Sequence, residues 1–367
     1  MIKQLFETNC IKCGKFTLKN KTTSKYYFNI KNIISYPKLV KEIGDALYEK
    51  LDDFDIICGI PYGGLATAMY ISTTYNKPLI IVRDKPKEYG TKLQIEGEYS
   101  NIDRCVIVDD VITSGKSLQE TIDILKDRVN IVDAAVVFNR QQNFTTSIPV
   151  KYLLCKNDIV KYRLKEISEK KKSKICFAAD INDPERLFEI LDKIGKYIVI
   201  VKIHYDTFDL KDQENIMNQL IEKSIEQDFL IMEDRKFNDI SSIVDQQYKI
   251  FSNWVDLITV HSLVAPDVVK KLSGVLLVAN MSNNTYDFTD EAKILAEKNK
   301  DHVIGFITQH IIDCGDLVCM TPGVSLKASE NEDQKYRSSA DIDTDFFIIG
   351  RTLYESDDIE TMAKIFM

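Results

Sequence analysis

The stretch Arg104-Cys-Val-Ile-Val-Asp-Asp-Val-Ile-Thr-Ser-Gly-Lys-Ser-Leu118 limits the possible folds of this chain more than any other. An apolar β-branched run, Val106 to Val108, meets two carboxylates, Asp109 and Asp110. A Thr-Ser-Gly turn follows, then an amphipathic run from Leu118 to Leu125. The pattern predicts a buried parallel strand, a tight loop and the N-terminus of a helix. Backbone N–H groups at Thr113, Ser114 and Gly115, with the helix dipole behind them, suit a phosphate. The carboxylates at the strand end suit ribose hydroxyls or an Mg²⁺ carried by pyrophosphate. A nucleoside-triphosphate P-loop is excluded, because GxxxxGK[ST] requires Gly where Asp110 stands.

A parallel strand needs neighbours, and 367 residues supply enough chain for two or more domains. With 44% hydrophobic and 28% charged residues, the chain reads as an ordinary globular protein. A net charge of −8 argues against nucleic acid as a partner. Cys10 and Cys13 form a lone CxxC. Other cysteines, among them Cys58, Cys105 and Cys176, lie in or beside apolar runs and read as reduced core residues. No apolar run approaches the length of a membrane span, and no secretory h-region opens the sequence. The expectation is a soluble cytoplasmic protein without a membrane partner.

In the first half, Phe16–Asn20 and Ser24–Ile30 read as a hairpin, and Pro37–Leu51 as a helix with Pro at its start. Phe54–Gly59 is a strand entering a Gly-rich turn, Gly59-Ile-Pro-Tyr-Gly-Gly64, whose backbone can face pyrophosphate. Pro78–Val82 is a further strand, followed by the basic segment Arg83–Lys92. Lys151–Cys155 is a last strand, Asn157–Ser168 a charged helix, and the Lys-rich run after it a solvated linker.

The hairpin, the Gly59–Gly63 turn, Lys87-Glu-Tyr-Gly-Thr-Lys92, Asp109-Asp110 and Phe138-Asn-Arg-Gln141 stand in the order found in orotate phosphoribosyltransferases, which this half resembles. The resemblance implies a type I phosphoribosyltransferase domain, a parallel sheet flanked by helices. It implies transfer of ribose 5-phosphate from phosphoribosyl pyrophosphate (PRPP) to orotate, with Mg²⁺ as cofactor. By match, Lys19 contacts an anionic ligand, Tyr27 and Phe28 lie beside orotate, and Arg140 holds its carboxylate. Tyr62 belongs to the pyrophosphate turn. Arg83, Lys87 and Tyr89 fall on the catalytic loop, with Lys87 as its catalytic group. One departure is Asp84, where the family carries Lys; Lys85 stands one place on.

From about residue 173, apolar strands alternate with helical stretches. The strand candidates are 175–179, 197–204, 228–233, 255–261, 274–279, 302–308, 317–320 and 345–349. Eight strands with intervening helices predict a compact (β/α)₈ TIM barrel, with chemistry at the strand ends. Candidate groups do fall there: Asp180, Lys202, His204, Asp234, Lys236, Asp239, Ser282, Pro322, Gly350 and Arg351. Asp234-Arg-Lys-Phe-Asn-Asp239, in register with these, resembles the signature of orotidine 5′-monophosphate decarboxylases. The resemblance implies cofactor-free decarboxylation with Lys236 as proton donor between Asp234 and Asp239. Asp239 would reach the partner of a homodimer. Asp180 and Lys202 would bind ribose, Ser282 the pyrimidine edge, and Gln334, Tyr336 and Arg351 the phosphate.

The two halves follow each other as in the bifunctional UMP synthase family. Expected boundaries are 1–168 for the transferase, 169–173 for a linker and 174–367 for the barrel. Expected ligands are orotate, PRPP, orotidine 5′-monophosphate (OMP) and UMP. Ile243 replaces a Thr that in the family reaches the partner's ribose. The barrel is also short, and the leading helix that caps such a base is not apparent. Decarboxylation at reduced efficiency is therefore expected. The alternatives are a barrel decayed into a dimerising scaffold and a non-enzymatic PRPP or nucleotide sensor.

Overall fold

The run Val106–Val108 lies inside a strand, Arg104–Ile112, that is buried along nearly its whole length. Near-continuous apolar strands arise when both faces of a parallel sheet are covered. In the computed structural model, which describes residues 1–18, 21–83, 94–140, 146–283, 286–330 and 334–367, this strand is central to a six-stranded sheet. The order is Ile95–Glu96, Leu79–Val82, Ile56–Gly59, Arg104–Ile112, Asn130–Asn139 and Val150–Cys155. All pairs are parallel except the edge pair Leu79–Val82 with Ile95–Glu96. Helix Lys116–Leu125 lays Leu118, Ile122 and Leu125 against Ile56, Cys58 and Ile107. From Ile56–Gly59 the chain builds outward one way, then returns to build the other way from Arg104–Ile112. The switch point therefore lies between these two strands, where open α/β sheets bind ligands beyond the strand ends.

The described residues divide into two units. Met1–Lys12 and Tyr27–Asp158 carry this sheet, while Cys13–Tyr26 and Ile159–Met367 make up the second. In the second unit all eight expected strands form. Ile175–Ala178, Ile200–Ile203, Leu230–Phe237, Leu257–His261, Val275–Val278, Val303–Ile307, Val318–Pro322 and Phe346–Ile349 close into a parallel barrel, termed strands 1 to 8 below. Alternate residues such as Ala178, Met232, Leu276 and Met320 fill its interior. The intervening residues, Phe177, Ile231 and Leu277 among them, face the outer helices.

Three expectations change. The charged helix extends over Lys156–Lys171, so most of the expected 169–173 linker is its last turn. Its stripe Val160, Leu164 and Ile167, spaced i, i+4, i+7, packs with Val199, Ile200 and Leu230 at the strand starts. This helix is the base cap that seemed to be missing. Lys171 belongs to it: its ammonium donates to the carbonyls of Gly195, Ile198 and Gln227 at 2.7–2.8 Å. The low overall hydropathy of the segment hides a narrow apolar stripe.

Residues 13–26 of the N-terminal hairpin also fold with the barrel. Lys25 Nζ lies 2.6 Å from Asp256 Oδ2, and the Tyr26 hydroxyl donates to Asp256 Oδ1 at 2.8 Å. Both partners of the ion pair are buried. Finally, not every strand is followed by a helix. Among the described residues, strands 6 and 7 are joined by loop alone, and strands 7 and 8 by three short strands and one 3₁₀ turn. That economy accounts for the shortness of the barrel.

Candidate active sites

At the switch point of the first unit, two loops converge. The Gly-rich turn runs so close to Arg104–Ile112 that a Cβ at Gly63 would lie 2.1 Å from Asp110 Oδ1. One at Gly64 would lie 2.0 Å from the Val108 carbonyl oxygen. Only glycine allows this approach. Asp109 and Asp110 are not at the strand's end, as expected, but inside it, both buried. The Asp110 N–H donates to Asp109 Oδ1 at 2.8 Å. Burial first, and then the neighbouring Asp110 charge, push the Asp109 carboxyl up to about 8. Beyond the strand, Thr113–Gly115 turn into the helix, with Gly115 at φ +74°.

The same unit gathers an aromatic and basic pair. Phe28 stacks on Phe138 at a centroid distance of 4.1 Å, and the Arg140 guanidinium lies over the Phe28 ring at 5.5 Å. Burial lowers the pKa of Arg140. Tyr27 is partly exposed and Tyr62 fully so. Arg83 pairs with Glu96 at 3.5 Å. Lys19, Lys87 and Tyr89 lie outside the described residues, as do Asp84 and Lys85.

The barrel holds a cavity of about 440 Å³ at the ends of its strands, where the fold places chemistry. Asp180, Lys202, His204, Asp234, Lys236, Ser282, Pro322, Gln334, Tyr336, Gly350 and Arg351 all line it. Strand 3 carries the decisive pair. Its register against strand 4 shifts between Glu233 and Phe237, and Lys236 adopts φ +50°. A bulge of this kind re-aims side chains beside a site, and a left-handed lysine is strained backbone. Lys236 Nζ lies 2.9 Å from Asp234 Oδ2. Lys202 Nζ lies 3.2 Å from the same oxygen and 2.9 Å from Asp180 Oδ1. Burial opposes ionisation of Asp234, but the Lys202 and Lys236 charges overcome it and hold the group at about 2. The same carboxylates raise Lys202 above the usual lysine range despite burial. Burial, then Lys202, lower His204 and favour its neutral form.

Sequence reasoning missed Thr259. Its hydroxyl donates to Asp234 Oδ1 at 2.8 Å and accepts from the Lys236 N–H at 2.9 Å, locking the bulge. A buried hydroxyl in the middle of the apolar run Leu257–His261 was the available signal. Gly323 lies in the Thr321-Pro-Gly-Val324 motif that closes strand 7. At φ +73°, a Cβ there would meet the Lys335 carbonyl at 2.6 Å. Gln334 Nε2 donates to Ser282 Oγ at 3.0 Å, joining the segment after strand 7 to the loop after strand 5. Asp239 does not line the cavity; it is exposed beyond strand 3.

Residues 173–366 match the orotidine 5′-phosphate decarboxylase / HUMPS family. The chain belongs to that family. Residues 29–160 match the phosphoribosyl transferase domain, so the two matches fall on the sheet and on the barrel. Over the whole chain it is 29% identical to the uridine 5′-monophosphate synthase of Bos taurus, covering 95% of that protein. It is 28% identical to the enzyme of the same name from Naegleria gruberi, covering 94% of it. The orotidine 5′-phosphate decarboxylase of Pachysolen tannophilus is 35% identical over 52% of this chain and 82% of its own length. No helix among the described residues is long and apolar enough to cross a membrane.

Proposed function

We propose that this chain carries out the last two steps of pyrimidine nucleotide synthesis, forming OMP from orotate and PRPP and decarboxylating it to UMP. The observation that carries this reading is the Asp180–Lys202–Asp234–Lys236 array, set in a cavity of a chain that also carries a separate acidic-pair site. A barrel decayed into a scaffold would have no reason to keep such an array.

In the transferase step, the bond from ribose C1 to pyrophosphate breaks as N1 of orotate bonds to that carbon. Asp109 and Asp110 face the ribose hydroxyls, and the Thr113–Gly115 amides hold the 5-phosphate. Two buried carboxylates beside a close-approaching turn suit a divalent cation carried by pyrophosphate: Asp109 and Asp110 would lie beside that Mg²⁺, which would neutralise charge on the leaving group. Arg140 clamps the orotate carboxylate while Phe28 supports its ring. Lys19, Lys87 and Tyr89 complete this assignment from the family match.

In the second step, the bond from C6 to its carboxylate breaks, CO₂ leaves and the electron pair stays on C6. The Lys236 ammonium stabilises that charge and then gives C6 its proton, with Asp234, 2.9 Å away, holding the ammonium in place. Asp180 and Lys202 bind the ribose with His204 alongside. Ser282 reads the pyrimidine edge, and Gln334, Tyr336, Arg351, Gly350 and Pro322 enclose the phosphate.

A homodimer completes this site. Asp239 stands outside its own cavity, and exposed Leu210, Ile240 and Leu263 occupy the loops after strands 2, 3 and 4. Incubating the purified chain with orotate, PRPP and Mg²⁺ tests both steps, with UMP as the expected end product. Accumulating OMP would overturn the decarboxylase half and point to Ile243; no nucleotide at all would favour a sensor.

A further inference from the structure

Gln309, in the loop after strand 6, does not line the cavity, yet it is bonded to three parts of the active-site rim. Its backbone N–H donates to Asn280 Oδ1 at 3.2 Å, in the loop that carries Ser282. Its side-chain Nε2 donates to the Pro322 carbonyl at 3.0 Å, at the end of strand 7. Its own carbonyl accepts from the Arg337 guanidinium, in the short strand Lys335–Ser338 that follows Gln334.

Each attachment is itself anchored. Asn280 is buried, accepts from the Thr308 hydroxyl at 3.0 Å and donates to Asp287 at 2.9 Å. The Arg337 backbone N–H donates to the Gly323 carbonyl at 2.8 Å. Gln309 therefore joins the loop that presents Ser282 to both segments that present Pro322, Gln334 and Tyr336.

We propose that Gln309 is a positioning residue that couples the phosphate-holding segment to the pyrimidine-reading loop. The proposal rests on the decarboxylase reading above for what those segments hold. Phosphate binding on one side then sets Ser282 on the other, so energy from the non-reacting phosphate is felt at the ring. A residue that only supported the fold would affect substrates with and without phosphate alike.

The test compares Gln309→Ala with the parent chain on OMP and on orotidine, the same nucleoside without phosphate. The kcat/KM for OMP should fall roughly ten- to a hundred-fold, as small misplacements at a site do, while that for orotidine stays unchanged. In parallel, calorimetric titration should show weaker UMP binding and unaltered uridine binding. Gln309→Glu, which keeps the volume but cannot donate to Pro322, should behave the same and serves if the alanine variant does not fold. Equal losses with and without phosphate, or no loss for OMP and UMP, would overturn the proposal. Failure of the parent chain to decarboxylate OMP would instead overturn the functional reading, and the UMP and uridine titrations would still decide the role of Gln309.

Discussion

The two sites treat buried charge in opposite ways. In the barrel, Asp234 is surrounded by Lys202 and Lys236 within 3.2 Å and stays ionised. In the sheet, Asp109 and Asp110 share one strand segment, and burial with mutual repulsion keeps Asp109 protonated to about 8. A decarboxylase without an electron sink must have its charges in place before substrate arrives. On the proposed reading, the transferase site receives a polyanion and its cation together, so its carboxylates can wait for their countercharge. The contrast is between a preorganised site and one completed by its ligands.

The largest effect should come from breaking the preorganised array. Lys236→Ala should lower decarboxylation by about 10⁴-fold or more, because on the proposed mechanism it removes both the stabilising cation and the proton donor. Orotate consumption should continue, with OMP accumulating in place of UMP on nucleotide chromatography. If both steps fell together, the two sites would not be independent. The counterpart in the sheet is Asp110→Asn. Transfer should drop roughly 10²- to 10³-fold, on the scale of losing one charged contact to the transition state, while added OMP is still decarboxylated at the parent rate. An Asn variant with parent transferase activity would remove Asp110 from the site.

A third carboxylate separates catalytic from structural pairing. Asp256 accepts from Lys25, from Tyr26 and from the Ile231 N–H, all in the buried base of the barrel unit. Lys25→Met leaves this carboxylate without its cation and should destabilise the second unit by about 3–5 kcal/mol in denaturant titrations. Lys25→Met with Asp256→Asn should recover part of the loss. No change in the single variant would mean that the hairpin contributes nothing to the barrel.

These cases also show what could be read from sequence. All eight barrel strands were legible, because each contains a short apolar run separated from the next by polar or helical sequence. Most cavity residues were legible because they follow the strand ends, whereas Gln334 and Tyr336, between strands 7 and 8, were reached only through the family resemblance. The base cap was not, since Val160, Leu164 and Ile167 are three apolar positions in a helix otherwise rich in charge. Nor was the docking of residues 13–26, because a pairing over more than two hundred positions, such as Lys25 with Asp256, leaves no local pattern. Thr259 escaped for a related reason: its role exists only once strand 3 bulges toward it.

The smallest effect sharpens the contrast most, because it uses pH alone. In the ligand-free chain Asp109 keeps its proton to about pH 8, whereas an unfolded aspartate loses it near 4. Between those values the folded first unit binds more protons than the unfolded one, so its stability should fall as pH rises from about 4 to 8. Asp234 shifts the other way, from about 4 unfolded to about 2 folded. Its contribution is full above pH 4 and is lost as pH falls toward 2. Calorimetry across this range, with unfolding transitions assigned through Asp109→Asn and Asp234→Asn, should show the two opposite slopes in separate windows. Saturating Mg²⁺ and PRPP should flatten the slope between pH 4 and 8, since a cation beside Asp109 favours its ionised form. A ligand-free transition that is independent of pH across that window would mean that the acidic pair is already compensated, and the distinction between the two sites would collapse.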